Sequence, residues 1–128
     1  MKILGIGIDI IENKRIKIST KNPKFKKRIY SSKELAQASL SKNKVSYFSK
    51  RFAAKEAFAK ALGTGFSSHL NFSDIEVIND KMGKPYYLIT KKITKLIQIK
   101  FKTKKFNCFL SISDEKKYST AFAIIQSI

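Results

Sequence analysis

Between Lys2 and Glu12 the chain reads K-I-L-G-I-G-I-D-I-I-E, with large apolar residues on alternate positions. Side chains along a strand point to opposite faces in turn. The spacing therefore predicts a strand with Leu4, Ile6, Ile8 and Ile10 on one face and Gly5, Gly7 and Asp9 on the other. The period changes in Lys50 to Gly65, K-R-F-A-A-K-E-A-F-A-K-A-L-G-T-G, which is rich in alanine and ends in a Gly-Thr-Gly turn. That composition predicts a helix with a glycine stop. At the helical repeat Ala53, Ala54, Ala57, Phe58 and Ala61 fill one broad apolar arc, as close packing on neighbours requires. Glu56 and Lys60 stand together on another face, and Arg51 and Lys55 make a second such pair on the far flank.

Weaker patterns fill in the rest. Asn13 fits the cap of a short helix through Ile18. Pro23 fits the opening of a helix from Lys24 to roughly Leu40, within which Ser31, Ser32 and Glu34 are candidates for a break. Ser39 to Ser46 is polar and lysine-rich and reads as a mobile loop, and F-S-S-H-L-N-F-S after Gly65 reads as a loop. Asp74 to Ile78 and Pro85 to Ile89 read as a hairpin turning through Asn79 to Gly83. Thr90 reads as the cap of an amphipathic helix from Lys91 to Phe101, and Asn107 to Ser113 and Tyr118 to Ile125 as the final strands. The sum is an α+β fold in a single domain over residues 1–128, with antiparallel strands about a long central helix.

The formal net charge of +18 widens the range of partners. It points to nucleic acid, phosphate-rich ligands or an acidic protein, although in a chain so rich in Ile, Asn, Phe and Ser part of the lysine excess is what codon drift would produce. No stretch approaches the apolar length of a membrane span, and the first residues lack a signal-peptide layout. Cys108 is the sole cysteine, so neither a disulfide framework nor a zinc spacing is present, which predicts a reducing, cytoplasmic setting without a membrane partner. His69, the sole histidine, has no second ligand type beside it and reads as structural.

Asp9 is the first candidate for chemistry. Two glycines clear space beside it in a run otherwise too apolar for a carboxylate. A carboxylate buried there must be paired, hydrogen-bonded or metal-bound; the competing reading is an aspartate that caps the next segment. Glu56 and Lys60, taken alone, are a surface ion pair worth about 0.2–0.5 kcal/mol.

G-I-G-I-D-I-I-E with R-I at Arg15 and Ile16, followed by R-F-A-A-K-E-A-F-A-K-A-L-G-T-G, resembles the holo-acyl-carrier-protein synthases, the small single-domain bacterial 4'-phosphopantetheinyl transferases. The similarity takes in K-F-K-K-R-I at Lys24 to Ile29, D-I-E-V-I-N-D at Asp74 to Asp80, G-K-P at Gly83 to Pro85, S-I-S-D at Ser111 to Asp114 and the final A-I-I. It runs nearly end to end, and the G-x-D strand and F-x-x-K-E-x-x-x-K helix are specific as a pair.

The resemblance implies transfer of phosphopantetheine from coenzyme A to a serine of apo-acyl carrier protein, with release of 3',5'-ADP, in support of fatty acid biosynthesis. Asp9 and Glu56 would hold Mg²⁺, a hard cation suited to carboxylate and phosphate oxygens, and Lys60 would stabilise the phosphate charge. The serine proton would pass to Glu56 or to a metal-bound hydroxide. Arg51, with the backbone at Gly63, Thr64 and Gly65, would seat phosphates, while Gly83, Lys84 and Pro85 would lie in the coenzyme A groove and Lys42 and Lys44 near its 3'-phosphate. Arg15, Lys24 and Arg28 match basic positions that meet the acidic carrier, against the plainer reading of a solvated basic face. Family members are typically homotrimers with sites between subunits. Phe109 stands where many relatives have a histidine on the strand lining the pantetheine side, so no imidazole is available there.

The competing class is a basic nucleic-acid-binding protein, in which Phe and Tyr interleaved with Lys stack on bases. It accounts for the charge but not for a carboxylate on a glycine-cleared strand face. A catalytically silent structural subunit is a third reading, against which the intact motif residues argue.

Overall fold

The computed structural model describes residues 1–66 and 69–128, so the part of the predicted loop at positions 67 and 68 lies outside the described residues. Strand β1 (Lys2–Glu12) leads into α1 (Asn13–Ser19), α2 (Pro23–Ile29), α3 (Ser32–Ser39) and the central helix α4 (Lys44–Leu62). A short 3-10 turn (Phe72–Asp74) precedes the hairpin β2 (Glu76–Asn79) and β3 (Pro85–Leu88). Helix α5 (Lys91–Phe101) and strands β4 (Phe106–Asp114) and β5 (Tyr118–Ser127) complete the chain. The fold is α+β, with an antiparallel sheet in the order β1-β5-β4 and a separate β2-β3 pair.

Why β1 and α4 meet so closely follows from composition. The alanines of α4 present almost no side chain to the sheet, and Ala53, Ala54 and Ala57 are fully buried. On the strand side, a Cβ on Gly5 would collide with the Ala61 carbonyl oxygen and one on Gly7 with the Ala57 carbonyl oxygen. Small residues on both elements thus bring backbone against backbone. The face of the sheet turned to α4 also carries Ala121, Ala123 and Ile125, all buried.

The alternation of β1 is as expected, but its greasy side is the outer one. Ile6, Ile8 and Ile10 are 59%, 60% and 65% exposed. The register places Ile6 opposite Ile124 and Ile8 opposite Phe122, with Phe109 opposite Ile124 on the other side. One contiguous apolar face results, and Leu4, after a register shift between Ile3 and Gly5, packs against the core instead.

Several predicted boundaries move. The central helix begins at Lys44 because Asn43 caps it, its side chain accepting from Ser46 N, so only positions 40–43 remain of the loop expected from Ser39 to Ser46. The long helix from Lys24 does break, at Tyr30, and α3 restarts through a capping box between Ser31 and Glu34. Asn13 does not cap α1; its side chain donates to the Glu115 and Lys116 carbonyls and accepts from Ser119 Oγ, tying α1 to the β4–β5 turn. Residues Phe72 to Asp74 form the 3-10 turn, so β2 starts at Glu76. Thr90 caps α5 as expected, accepting from Ile93 N at 3.2 Å.

Candidate active site

Asp9 sits on the glycine face of β1, where the close approach of α4 half-buries it. Lys60 donates to Asp9 Oδ1 at 3.1 Å and to the Ile8 carbonyl at 3.0 Å. The Asp9 side chain is 14% exposed and that of Lys60 53%, so the pair stands at the rim of the sheet–helix seam. Glu56, one turn earlier on α4, is also partly buried. Burial raises the Asp9 carboxyl above its ordinary range, opposed by the Lys60 hydrogen bond and charge and by Arg15. Burial likewise raises Glu56, helped by the negative charge of Asp9 and opposed by Lys60. The two carboxylates are therefore close enough to repel one another, and one ammonium group serves both.

Two partly desolvated carboxylates, one of them raised by the charge of the other, offer hard oxygen ligands that fit Mg²⁺ completed by phosphate oxygens and water. Among the described residues no group of three or more His, Cys, Asp or Glu side chains could hold a metal ion, and Asp9 and Glu56 are a pair of carboxylates that could offer oxygen ligands.

Beyond Lys60 the helix ends at Gly63, whose φ of 83° suits a glycine. Its amide donates to the Ala59 and Lys60 carbonyls, both at 3.1 Å. That amide is committed to the cap, and a helix C-terminus carries partial negative charge, so this end of α4 favours a cation over the phosphate expected at Gly63, Thr64 and Gly65. Sequence spacing did not anticipate that Lys100 of α5 reaches this turn, its Cε 3.7 Å from where a Cβ on Gly63 would stand. A period within α5 says nothing about which distant turn it meets.

Arg51 is elsewhere. It is buried, its guanidinium 3.9 Å over the Tyr47 ring and donating to Asn79, whose own amide donates to the Gly83 carbonyl at 2.8 Å. Desolvation lowers its pKa. Among the described residues its Nε and the Tyr47 hydroxyl are buried with no partner at ordinary hydrogen-bond geometry. Arg51 thus joins the β2–β3 turn that carries Gly83, Lys84 and Pro85, where it lines a cavity of ≈ 240 Å³ with Lys33 and Gln37. On the helix it lies about 140° from Glu56 and about 180° from Lys60. The predicted phosphate contacts therefore fall into two groups on opposite flanks of α4.

Lys55, read as half of a flank pair with Arg51, is fully buried and bonds Glu34 at 2.7 Å. Lys44 stands in the first turn of α4 beside Pro23, Lys26 and Lys27, apart from both groups, and Lys42 is exposed just before it. Arg15 on α1 and Lys24 and Arg28 on α2 are exposed, with the Arg28 guanidinium 5.8 Å from the Phe25 ring. Phe109 lies on the outer apolar face, and burial pushes the Cys108 thiol up to about 12, far from a nucleophile's range.

The model of the 4'-phosphopantetheinyl transferase superfamily matches residues 5–123. The holo-[acyl-carrier-protein] synthase of Pelagibacter ubique is 61% identical over 126 residues, covering 98% of each chain. That of Fusobacterium nucleatum is 40% identical, covering 96% of this chain and 98% of its own. Among solved structures, the Neisseria meningitidis holo-[acyl-carrier-protein] synthase superposes with a TM-score of 0.87 at 36% identity, covering 98% and 99% of the two chains. The Bacillus anthracis holo-(acyl-carrier-protein) synthase in complex with CoA (3',5'-ADP) does so with a TM-score of 0.83 at 36% identity over 100% of both chains. Motif residues, fold and full-length similarity agree, and the chain belongs to the holo-[acyl-carrier-protein] synthase family of phosphopantetheinyl transferases.

Proposed function

We propose that Asp9 and Glu56 hold Mg²⁺ while this chain moves 4'-phosphopantetheine from coenzyme A to a serine of an apo-acyl carrier protein. The observation that carries the reading is the pair of half-buried carboxylates beside Lys60. A magnesium ion bound there supplies charge neutralisation for the pyrophosphate. Lys60, half exposed at the rim, reaches toward the phosphate oxygens and stabilises charge as it builds. The serine Oγ forms a bond to the phosphorus that bears the pantetheine, and the bond from that phosphorus to the bridging oxygen breaks. The departing group is 3',5'-ADP. Glu56, whose carboxyl is raised by burial and by Asp9, accepts the serine proton.

The remaining chain divides the substrates between two regions. Arg51 and the Gly83–Lys84–Pro85 turn take the nucleotide end of coenzyme A, and Arg15, Lys24 and Arg28 face the acidic carrier. Because the two phosphate-facing groups lie on opposite flanks of α4, a complete site takes residues from two copies. The exposed Ile6, Ile8, Ile10, Phe109 and Phe122 give the copies an apolar surface on which to meet, in a homotrimer. Residues 1–128 act as one domain in this reading, in the cytoplasm and in service of fatty acid synthesis. Among the described residues no helix is long and apolar enough to cross a membrane.

Intact-mass measurement of an apo-acyl carrier protein incubated with this protein, coenzyme A and Mg²⁺ tests the reading. A gain of one phosphopantetheine that disappears with EDTA is expected. Transfer that persists in EDTA removes the metal from the proposal, and no transfer to any apo-carrier by folded protein removes the reaction.

A further inference from the structure

Lys55 is 0% exposed, and each of its ammonium protons has an acceptor: Glu34 Oε1 at 2.7 Å, the Phe72 carbonyl at 3.0 Å and the Ile75 carbonyl. Glu34 is equally committed. Its Oε1 also accepts from Ser31 N at 2.9 Å and its Oε2 from Val77 N at 3.0 Å. One buried ion pair therefore binds backbone groups of α3, of the 3-10 turn and of β2 to the middle of α4. A buried pair of this kind is poor evidence for stability, since apolar residues of similar volume often serve as well or better. What apolar residues cannot do is hold four separate backbone groups at hydrogen-bond distance.

Those groups have a functional position. Val77 lies in β2, two residues before Asn79, which joins Arg51 to the Gly83 turn. Lys55 is the neighbour of Glu56 on α4, and the other side of α4 is fixed against Gly5 and Gly7 of β1. The helix is thus held from both sides, and the ion pair is one of the links that reach the hairpin, beside the Arg51–Asn79 hydrogen bond and the one from the Tyr87 hydroxyl to the Ala54 carbonyl.

We propose that Lys55 and Glu34 are positioning residues that fix the β2–β3 hairpin against the middle of α4, and so set where it presents the nucleotide end of coenzyme A to the carboxylates that a neighbouring copy supplies. The proposal rests on the assignment of coenzyme A to that hairpin. Neither residue touches substrate; both act through Val77 and the carbonyls of Phe72 and Ile75.

The test uses the full chain. Lys55→Met alone leaves Glu34 buried and unpaired, and its melting temperature falls. The double variant Lys55→Met/Glu34→Leu removes both charges and regains most of the wild-type melting temperature. At that restored stability the KM for coenzyme A is expected to stay up by about tenfold while kcat stays within about threefold of wild type, because substrate placement and not chemistry is altered. The isosteric variant Glu34→Gln, which keeps the volume and loses the charge, is expected to raise the same KM in the same direction and to speed hydrogen exchange at the Val77 amide, should the double variant fold poorly. An unchanged KM in whichever of the two is folded, or a fall in kcat alone, overturns the inference. Wild-type protein that transfers nothing to apo-carrier overturns the function itself, which is a separate outcome.

Discussion

The carbonyl oxygen of Ala57 occupies the place that a side chain on Gly7 would need. The same relation holds one turn along between Ala61 and Gly5. This backbone contact draws α4 onto β1 and thereby brings Glu56 and Lys60 to Asp9, so glycine here is a requirement of the site as well as of the sheet. Gly7→Ala is expected to force the helix outward, at a cost of about 1–3 kcal/mol for the overpacked seam. Urea denaturation should show the loss in midpoint, and transfer should fall further than the folded fraction. A variant with wild-type midpoint and rate would show that the seam yields without consequence.

Glu56→Gln should separate stability from activity. The carboxyls of Asp9 and Glu56 are both raised, first by burial, so the contribution of each to stability is fully present below its unfolded pKa and is lost as pH rises through its folded value. Ionising either carboxyl in the folded chain therefore costs stability, and the negative charge of Asp9 adds to that cost at Glu56. Removing one charge relieves the repulsion, and the variant is expected to melt higher than wild type at pH 7 and no higher at pH 4. Transfer is expected to fall by about a hundredfold or more, since the proposed function makes Glu56 both a metal ligand and the proton acceptor. Thermal melts at the two pH values check the first half; a lower melting temperature at pH 7 would mean that Glu56 makes a stabilising contact outweighing its repulsion with Asp9.

How much of this was legible in the sequence depends on the range of the interaction. The strand at Asp9 and the Thr90 cap follow from local periods and turn chemistry and appear where expected, whereas the ion pair that Lys60 makes is with Asp9 of β1 and not the surface pair with Glu56 that the helix spacing alone suggests. Lys55 does not follow, because a lysine four residues from an arginine gives no sign of burial; its partner Glu34 lies across a helix break, and two of its acceptors are backbone carbonyls. Arg51 is similar: its type fits a phosphate contact, but only the fold places it with Asn79 and away from Asp9. The early start of α4 is hidden because Ser and Asn favour caps and turns as readily as a helix, and only the fold shows Asn43 accepting from Ser46 N as the cap.

Lys60 is expected to work mainly on the transition state. Its ammonium group is half exposed and already held by Asp9 and the Ile8 carbonyl, so little is gained by binding ground-state phosphate. Lys60→Ala should lower kcat by more than it raises the KM for coenzyme A. Steady-state kinetics with apo-carrier in excess decide this, and equal effects on both would make Lys60 a binding residue.

Arg15, Lys24 and Arg28 project from α1 and α2 without burial, which suits encounter with an acidic carrier. Replacing all three by Ala is expected to raise the KM for carrier by about tenfold at low salt and to flatten its salt dependence, with the KM for coenzyme A unchanged. The salt series is the informative part, since a basic face that merely solvates the protein leaves the slope as it was.

The outer sheet face makes the strongest demand on assembly. Ile8 and Phe122 face each other across β1 and β5, half exposed, in the middle of a surface that includes Ile6, Ile10 and Phe109. Ile8→Lys places a charge there without touching the contact with α4, so the single chain should keep its fold and its far-ultraviolet circular dichroism. Its mass by light scattering should be that of a monomer, and transfer should be lost, because the carboxylates and the Arg51 hairpin lie on opposite flanks of one helix. Complementation sharpens the point. Glu56→Gln chains and Arg51→Gln chains, each inactive alone, should regain activity when refolded together, since one copy then supplies intact carboxylates and its neighbour an intact hairpin. Mixtures that stay inactive while assembling normally would mean that each chain completes its own site, and the apolar face would then serve stability alone.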